Sequence, residues 1–187
     1  KKTKERFDLV FDGELKVTID TFIDLGGAFI IALVLIFFLM VMYYKSFAIS
    51  GGIVLSSFIS IIGVIFAHVI MDLITADTFY LTATSLIGFI GLIGINSRNS
   101  TLILDFSKQL VHEKNLTINE AIAKASATRS KPIILTVLTV VFASALIAND
   151  AVFGGLGVAL IGGTLISYVV SMFFVPVIIK NQLKKIL

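Results

Sequence analysis

Residues 87–104 read Ile87-Gly-Phe-Ile-Gly-Leu-Ile-Gly-Ile-Asn-Ser-Arg98-Asn-Ser-Thr-Leu-Ile-Leu104, an apolar, glycine-rich stretch that contains one cation. As a helix, such a stretch would be about 27 Å long, close to the thickness of the hydrocarbon core of a membrane. A cation inside that core costs about 2.5–3.5 kcal/mol on insertion scales, so it persists only beside a partner group, a cluster of carbonyls or water. Arg98 is therefore a candidate functional residue.

The composition of the whole chain also indicates a membrane protein. Of its 187 residues, 57% are hydrophobic and 14% are charged, whereas charged residues make up about 25% of ordinary soluble proteins. Apolar windows of membrane length predict an all-α, polytopic helical bundle. Its five transmembrane helices are expected at residues 25–44, 52–71, 79–108, 132–148 and 152–179.

Two polar segments accompany the predicted transmembrane domain, which covers residues 25–187. Residues 1–24 resemble the end of an external segment that leads into the membrane, and we expect the chain to be a fragment of a longer protein. Thr117 and Glu120 have the spacing of a capping box, which predicts a short cytoplasmic interfacial helix over residues 117–128. Pro132 would then lie in the first turn of the fourth membrane helix.

The distribution of charge predicts the orientation. All the charged residues expected in the outer turns are acidic, namely Asp72, Asp77 and Asp150. Cations predominate in the loops and tail on the other side, at Lys45, Arg98, Lys108, Lys114, Lys124, Arg129, Lys131, Lys180, Lys184 and Lys185. By the positive-inside rule, the N-terminus is external and the C-terminus cytoplasmic.

Small side chains recur every fourth residue on the last helix, where they would let another helix approach closely. This predicted packing stripe consists of Gly155, Ala159, Gly163, Ser167 and Ser171. A shorter stripe on the second helix consists of Ser56, Ser60, Gly63 and Ala67. We expect the isolated chain to self-associate through these surfaces.

Helical periodicity predicts the surroundings of Arg98. Gly94 and Gly91 precede it on the same face, and Thr101 and Asp105 follow it. The small residues favour a face that points into the bundle interior. Asp105 would be about 10.5 Å away along the axis, so an acid on another helix is the better partner. The alternative role for Arg98 is a cation that sets topology by reaching the headgroups.

Several kinds of site are excluded or disfavoured. The chain contains no cysteine, which excludes disulfides and thiolate chemistry, and it has no phosphate-binding loop or nucleophile motif. His68 and His112 are isolated in the sequence and are expected at the membrane interface, so no metal site is predicted. The basic residues lie at membrane boundaries instead of in one patch, so nucleic-acid binding is not expected.

Three motifs occur in order: Gly94-Ile-Asn-Ser-Arg98-Asn99-Ser-Thr-Leu-Ile-Leu-Asp105-Phe106, Arg129-Ser-Lys-Pro132-Ile-Ile-Leu-Thr136, and Phe173-Phe174-Val-Pro176. With them the chain resembles exporters of the resistance-nodulation-division (RND) superfamily, of the acriflavine-resistance or hydrophobe/amphiphile efflux type. The resemblance begins near Leu25 and implies the last five helices of a twelve-helix transporter.

The resemblance implies a function in drug/proton antiport, which is secondary active transport and not enzyme catalysis. Arg98, Asn99, Arg129 and Thr136 match the transmembrane proton relay, with Thr101 and Asp105 as auxiliary positions. Arg98 would face two aspartates outside this chain. Family members of the drug-exporting type usually have Lys there, and Arg holds its charge more firmly. The energy source would be a proton gradient, without a cofactor.

The resemblance further implies a location in the bacterial inner membrane and several partners. These are the N-terminal half of the same transporter, two further copies in a trimer, a periplasmic adaptor and an outer-membrane channel. The fragment alone is expected to be inactive in transport, and its expected dimer would imitate the pair of halves in the complete transporter. One rival is a non-transporting membrane scaffold that self-associates through the Gly155 stripe. Another is a sterol-sensing or lipid-exporting relative. The residues do not distinguish drug, metal and lipid substrates.

Overall fold

The computed structural model describes residues 14–75 and 81–186, and describes side chains only between residues 16 and 182 of those ranges. The described residues form five helices and no strand. They are α1 (Glu14–Tyr44), α2 (Phe47–Ile74), α3 (Ala83–Lys114), α4 (Ile118–Ile147) and α5 (Gly154–Ile186). Each helix is long and apolar enough to cross a membrane. The predicted all-α bundle of five membrane helices is confirmed.

Local chemistry explains where the helices on either side of the tight turns begin and end. Lys45, with φ 51°, and Asn115, with φ 50°, adopt the left-handed conformation directly after α1 and α3. This conformation commonly terminates a helix. Ser46 caps α2 by accepting a bond from the Ile49 N–H at 3.4 Å. Only two residues therefore separate α1 from α2.

The fourth helix differs from the prediction. Instead of an interfacial helix over residues 117–128 and a separate span from 132, one helix runs from Ile118 to Ile147, with Pro132 in its interior. The capping box at Thr117 does begin a helix. Proline removes one hydrogen bond from a helix and adds a local clash. Here Ala121 and Ala125 are buried against Leu110 of α3, so tertiary packing keeps the first turns in line with the rest.

The first helix also begins earlier than the prediction. Residues 14–24, assigned above to the external segment, are part of α1. Residues 1–13 lie outside the described residues. At the other end of the chain, α5 continues past residue 179 to Ile186 and contains Pro176 in its interior.

The arrangement of the helices is centred on α3, which contacts the other four. Helix α5 packs against α2, α3 and α4, and α1 packs against α2 and α3. Helices α1 and α4 make no contact with each other in the part of the chain that the structure describes. The helices around α3 therefore follow the order α1, α2, α5, α4. One sector of α3, between α4 and α1, has no helix over it.

Helices α2 and α5 approach each other closely at Gly63 and Gly162. A Cβ atom added at Gly162 would collide with the Gly63 carbonyl and with the Ala67 side chain. A Cβ atom added at Gly63 would collide with the Gly162 carbonyl, at 2.6 Å. Because backbone cannot move aside as a side chain can, these two positions require glycine. The two helices are in direct backbone contact.

The turn between α4 and α5 is organised by Asp150, which lies outside the membrane helices. The backbone N–H groups of Val152 and Phe153 each donate to Asp150 Oδ1 at 2.8 Å. These bonds, with the one from Phe153 contributing most, lower the pKa of the Asp150 carboxyl. The carboxylate thus stabilises the short turn between the two helices.

Candidate functional site: the polar section of α3

Asn96 lies at the centre of a polar cluster that joins three helices. Its Nδ2 donates to the Ser56 and Ser57 hydroxyls of α2, at 2.6 and 3.0 Å. Its Oδ1 accepts from the Ser167 and Ser171 hydroxyls of α5, at 2.9 and 3.3 Å. All five side chains are buried. Both donor positions and both acceptor positions of the amide are used, and we call this group the Asn96 cluster.

The small-residue stripe of α5 faces α3 along its length. Two of its members contact Asn96. A Cβ atom added at Gly88 of α3 would lie 2.8 Å from Ala159 Cβ, and one added at Gly163 would overlap Leu92. At the far end, Gly155 is pressed against Thr82 and Ser85. The five stripe residues Gly155, Ala159, Gly163, Ser167 and Ser171 are all buried.

This arrangement corrects the expectation that the small-residue surfaces drive self-association. The stripe of α5 is covered by α3 within the same chain. On α2, Ser56 belongs to the Asn96 cluster and Gly63 is covered by α5. Neither stripe is therefore available to a second copy. The prediction overlooked that both stripes find their partners among the five helices.

Arg98 lies on the opposite side of α3. The prediction that it points into the interior of the bundle is wrong for these five helices, because its side chain is exposed. Two residues correspond to about 200° around a helix, so once Asn96 faces inward, Arg98 must face outward. Arg98 makes no hydrogen bond or ion pair with any residue in the described ranges.

Arg98 belongs to a continuous exposed line of residues on α3, which we call the uncovered stripe. Its members are Ile87, Gly91, Gly94, Arg98 and Leu102. No atom lies within 4 Å of a Cβ added at Gly94. The stripe coincides with the sector between α4 and α1 that no helix covers. Arg98 has 15 helical residues before it and 16 after it in α3, so the cation lies at the middle of the helix.

Helix α1 borders the stripe on one side. The Tyr43 and Tyr44 hydroxyls donate to the two oxygens of Asp105, at 3.2 and 3.1 Å. Lys108 Nζ lies 4.8 Å from the centre of the Tyr44 ring. The Thr101 hydroxyl donates to Met40 Sδ at 3.6 Å. The two auxiliary positions, Thr101 and Asp105, are thus engaged with α1 and not with Arg98.

Helix α4 borders the stripe on the other side. The Arg129 guanidinium lies 4.7 Å from the centre of the Phe106 ring, and its Nε is buried without a hydrogen-bond partner in the described residues. Asn99 is 1% exposed, and its Nδ2 likewise has no partner there. The Thr136 hydroxyl donates to the Pro132 carbonyl of its own helix at 3.1 Å. No direct hydrogen bond joins Arg98, Asn99, Arg129 and Thr136.

Two further buried hydroxyls lie beside these residues on α3. Ser97 Oγ and Ser100 Oγ have no hydrogen-bond partner among the residues that the structure describes. Most buried polar atoms in proteins are paired, with protein or with ordered water. Together with Asn99 Nδ2, they give one turn of α3 three unsatisfied polar atoms. This turn can therefore bind ordered water inside the bundle.

Sequence reasoning missed two buried polar residues. The sequence alone gives no role to Asn96, although the serines that bind it lie on or beside the predicted packing stripes. His68, expected at the interface, is 6% exposed. Its Nδ1 lies 2.9 Å from the Val64 carbonyl and its Nε2 lies 2.9 Å from Ser85 Oγ. The signal for both was a polar residue on the same helical face as small residues.

Four membrane-length helices around a fifth, polar helix define a polytopic helical membrane protein. The chain belongs to the AcrB/AcrD/AcrF family, whose sequence model matches residues 6–180, and so to the RND superfamily of exporters. The expected resemblance is confirmed.

Three curated relatives illustrate this similarity. The chain is 26% identical over 151 residues, 78% of its length, to the solvent-resistant pump membrane transporter SrpB of Pseudomonas putida. It is 33% identical over 99 residues, 50% of its length, to the multidrug resistance protein MdtC of Erwinia tasmaniensis. The MdtC of Yersinia pseudotuberculosis is 32% identical over 99 residues, again 50% of the chain. The matched segments cover 14%, 10% and 10% of these relatives.

Proposed function

We propose that the chain is the C-terminal membrane portion of an efflux transporter driven by the proton-motive force. Family membership supports this proposal, as do the names of the relatives, which are a solvent-resistant pump and multidrug resistance proteins. The transporter would act as a drug/proton antiporter in the bacterial inner membrane. Its N-terminal side would be periplasmic and its C-terminus cytoplasmic, in accord with the distribution of cations.

The observation that carries the proposal is the uncovered stripe with Arg98 at its centre. A cation in the middle of a membrane helix is stable only with an opposite charge, carbonyls or water around it. The described residues provide no such partner to Arg98. The glycines beside it leave room for another helix to approach. We infer that a second set of helices, which bears carboxylates, covers this stripe in the complete transporter.

In this arrangement Arg98 acts as a fixed counter-ion and the facing carboxylates carry the protons. A nearby cation lowers the pKa of a carboxylate, and removing the cation raises it. Since a guanidinium stays protonated throughout the accessible pH range, Arg98 would tune the acids without itself releasing a proton.

The remaining relay residues would act through water. Asn99 and Arg129 each have a buried nitrogen without a partner in the described part of the chain. Thr136, whose hydroxyl now bonds its own backbone, can both donate and accept a proton. A chain of water molecules past these groups would connect the carboxylates with the membrane surface. No cofactor is needed, because the proton gradient supplies the energy.

The proposal also assigns the partners. The N-terminal half of the transporter would cover the uncovered stripe, in the pseudo-symmetric manner of transporters built from repeats. The complete protein would form a trimer and work with a periplasmic adaptor and an outer-membrane channel. The five helices alone would not transport.

The test uses the complete transporter in a strain that lacks its other exporters. We expect Arg98→Ala to abolish resistance to a known substrate, while Arg98→Lys retains part of it because the charge is kept. The amount of protein in the membrane should not change. Lys131→Gln is the matched control, since it removes an exposed cation of α4 and should leave resistance unaffected. Full resistance in the Arg98→Ala transporter would refute the proposed role.

A further inference from the structure

A second polar site lies away from the uncovered stripe, in a cleft between α4 and α5. The cleft has a volume of about 380 Å³. It is open to the outside of the bundle at the end where α4 begins and α5 ends. Its lining comprises Asn119, Ile122, Ala123, Ser126, Met172, Pro176, Val177 and Lys180.

The polarity of the cleft changes with depth. Asn119 is the second residue of α4, and Lys180 lies near the end of the antiparallel helix α5, so both are at the mouth. Met172 comes eight residues before Lys180 in α5 and so lies about 12 Å deeper in the cleft. Apolar side chains line the cleft between these levels. A cation and an amide at the mouth with an apolar floor below match the headgroup and the acyl chain of a phospholipid.

Two polar groups at the deeper level have unused hydrogen-bonding capacity. Ser126 Oγ is buried without a partner among the described residues. Pro176 has no N–H, so the carbonyl of Met172 lacks its usual helical donor. Buried polar atoms of this kind require a partner. Ser126 lies seven residues, or about 10.5 Å, deeper than Asn119, so it is level with the acyl chain, and ordered water is the partner that can reach its buried hydroxyl.

We propose that this cleft binds one glycerophospholipid, with its phosphate at Lys180 and Asn119 and an acyl chain along Val177 and Met172. Charge favours an anionic headgroup. Lys180 makes no ion pair with the residues that the structure describes, and basic clefts between membrane helices are known to recruit anionic lipids. The proposal does not depend on the transport function, because it concerns another surface of the bundle.

The test is lipid binding to the purified 187-residue chain in detergent, measured by native mass spectrometry. The probe is dioleoylphosphatidylglycerol, compared with inorganic phosphate and with dioleoylglycerol, which lacks the phosphate. We expect phosphatidylglycerol to bind in one copy and more tightly than either. Removing one interfacial cation weakens such binding by about fivefold, which is the effect expected for Lys180→Gln. Ala123→Phe, which fills the cleft from an exposed position, should weaken it more.

The matched control is Lys124→Gln, which removes an exposed cation of α4 that does not line the cleft and should change the affinity less than twofold. Thermal unfolding followed by circular dichroism checks that each variant is folded. Equal binding by Ala123→Phe and wild type would overturn the proposal. So would displacement of the lipid by inorganic phosphate at similar concentration, which would indicate a site for free phosphate. Equally tight binding of dioleoylglycerol would show that the headgroup is not recognised.

Discussion

The polar residues on the two faces of α3 come from the same stretch of sequence but differ in burial and in hydrogen bonding. On the inner face, Asn96 is 0% exposed, and its amide donates to serines of α2 and accepts from serines of α5, so that all its hydrogen-bonding positions are used. On the outer face, Arg98 is exposed and has no partner in the described residues. A buried polar group that is fully paired serves the fold of the chain itself. A cation without a partner in the middle of a membrane helix indicates an interaction with something outside the five helices.

The largest difference between the two faces is expected from a pair of glycine substitutions on α3. Gly88→Leu should destabilise the chain by about 3 kcal/mol, because its Cβ would already lie 2.8 Å from Ala159 and overpacking costs this much. Gly94→Leu should have almost no effect, since its surroundings are empty. Unfolding in mixed micelles of increasing dodecyl sulfate content measures both. Equal destabilisation by the two would show that the outer stripe is covered in the isolated chain.

A smaller difference is expected for the polar residues themselves. Asn96→Ala removes four interhelical hydrogen bonds, each of which contributes about 0.6 kcal/mol in a membrane protein. We therefore expect a loss of about 2 kcal/mol in the same unfolding assay. Arg98→Ala should leave the stability of the isolated chain unchanged. If Arg98→Ala were the more destabilising variant, the assignment of Asn96 to folding and Arg98 to function would have to be reversed.

The smallest effect concerns Asp105, which is on the side of α3 that carries Arg98 but is held by α1. Asp105→Ala removes the acceptor of the Tyr43 and Tyr44 hydroxyls. We expect a loss of about 1 kcal/mol, since Tyr43 is exposed and Asp105 is only partly buried. Asp105→Asn should retain part of the interaction. Asp24→Ala, which removes an exposed acid of α1, is the control. A wild-type stability for Asp105→Ala would mean that the tyrosines do not fasten α1 to α3.

Much of the fold could be predicted because long apolar windows and small-residue spacing depend on local physics. The five spans follow from hydropathy. The spacing from Gly155 to Ser171 identified a helix face that the structure covers with α3. The prediction that a helix begins at Pro132 is wrong, because the effect of a proline on a helix depends on the tertiary packing around it. Proline is expected to start a helix, but the packing of Ala121 and Ala125 against α3 keeps α4 continuous through it.

The candidate site was less predictable, because the direction of a side chain depends on which helices surround it. Glycines beside Arg98 indicate a close approach of another helix, and the sequence cannot tell whether that helix belongs to the same five. Asn96 could have been assigned to the interior only by knowing that Ser56 and Ser167 converge on it. The part of Asn99, Arg129 and Thr136 in a proton relay remains a prediction.

The continuity of α4 through Pro132 has a mechanical consequence. Fourteen residues precede this proline in the helix and fifteen follow it. It therefore divides α4 into two segments, each about 21 Å long. A proline is where a helix bends most easily, and a change in bend of about 20° would displace the Ile118 end by about 7 Å. Small tilts of the membrane-embedded segment would thus be converted into large movements at the membrane surface.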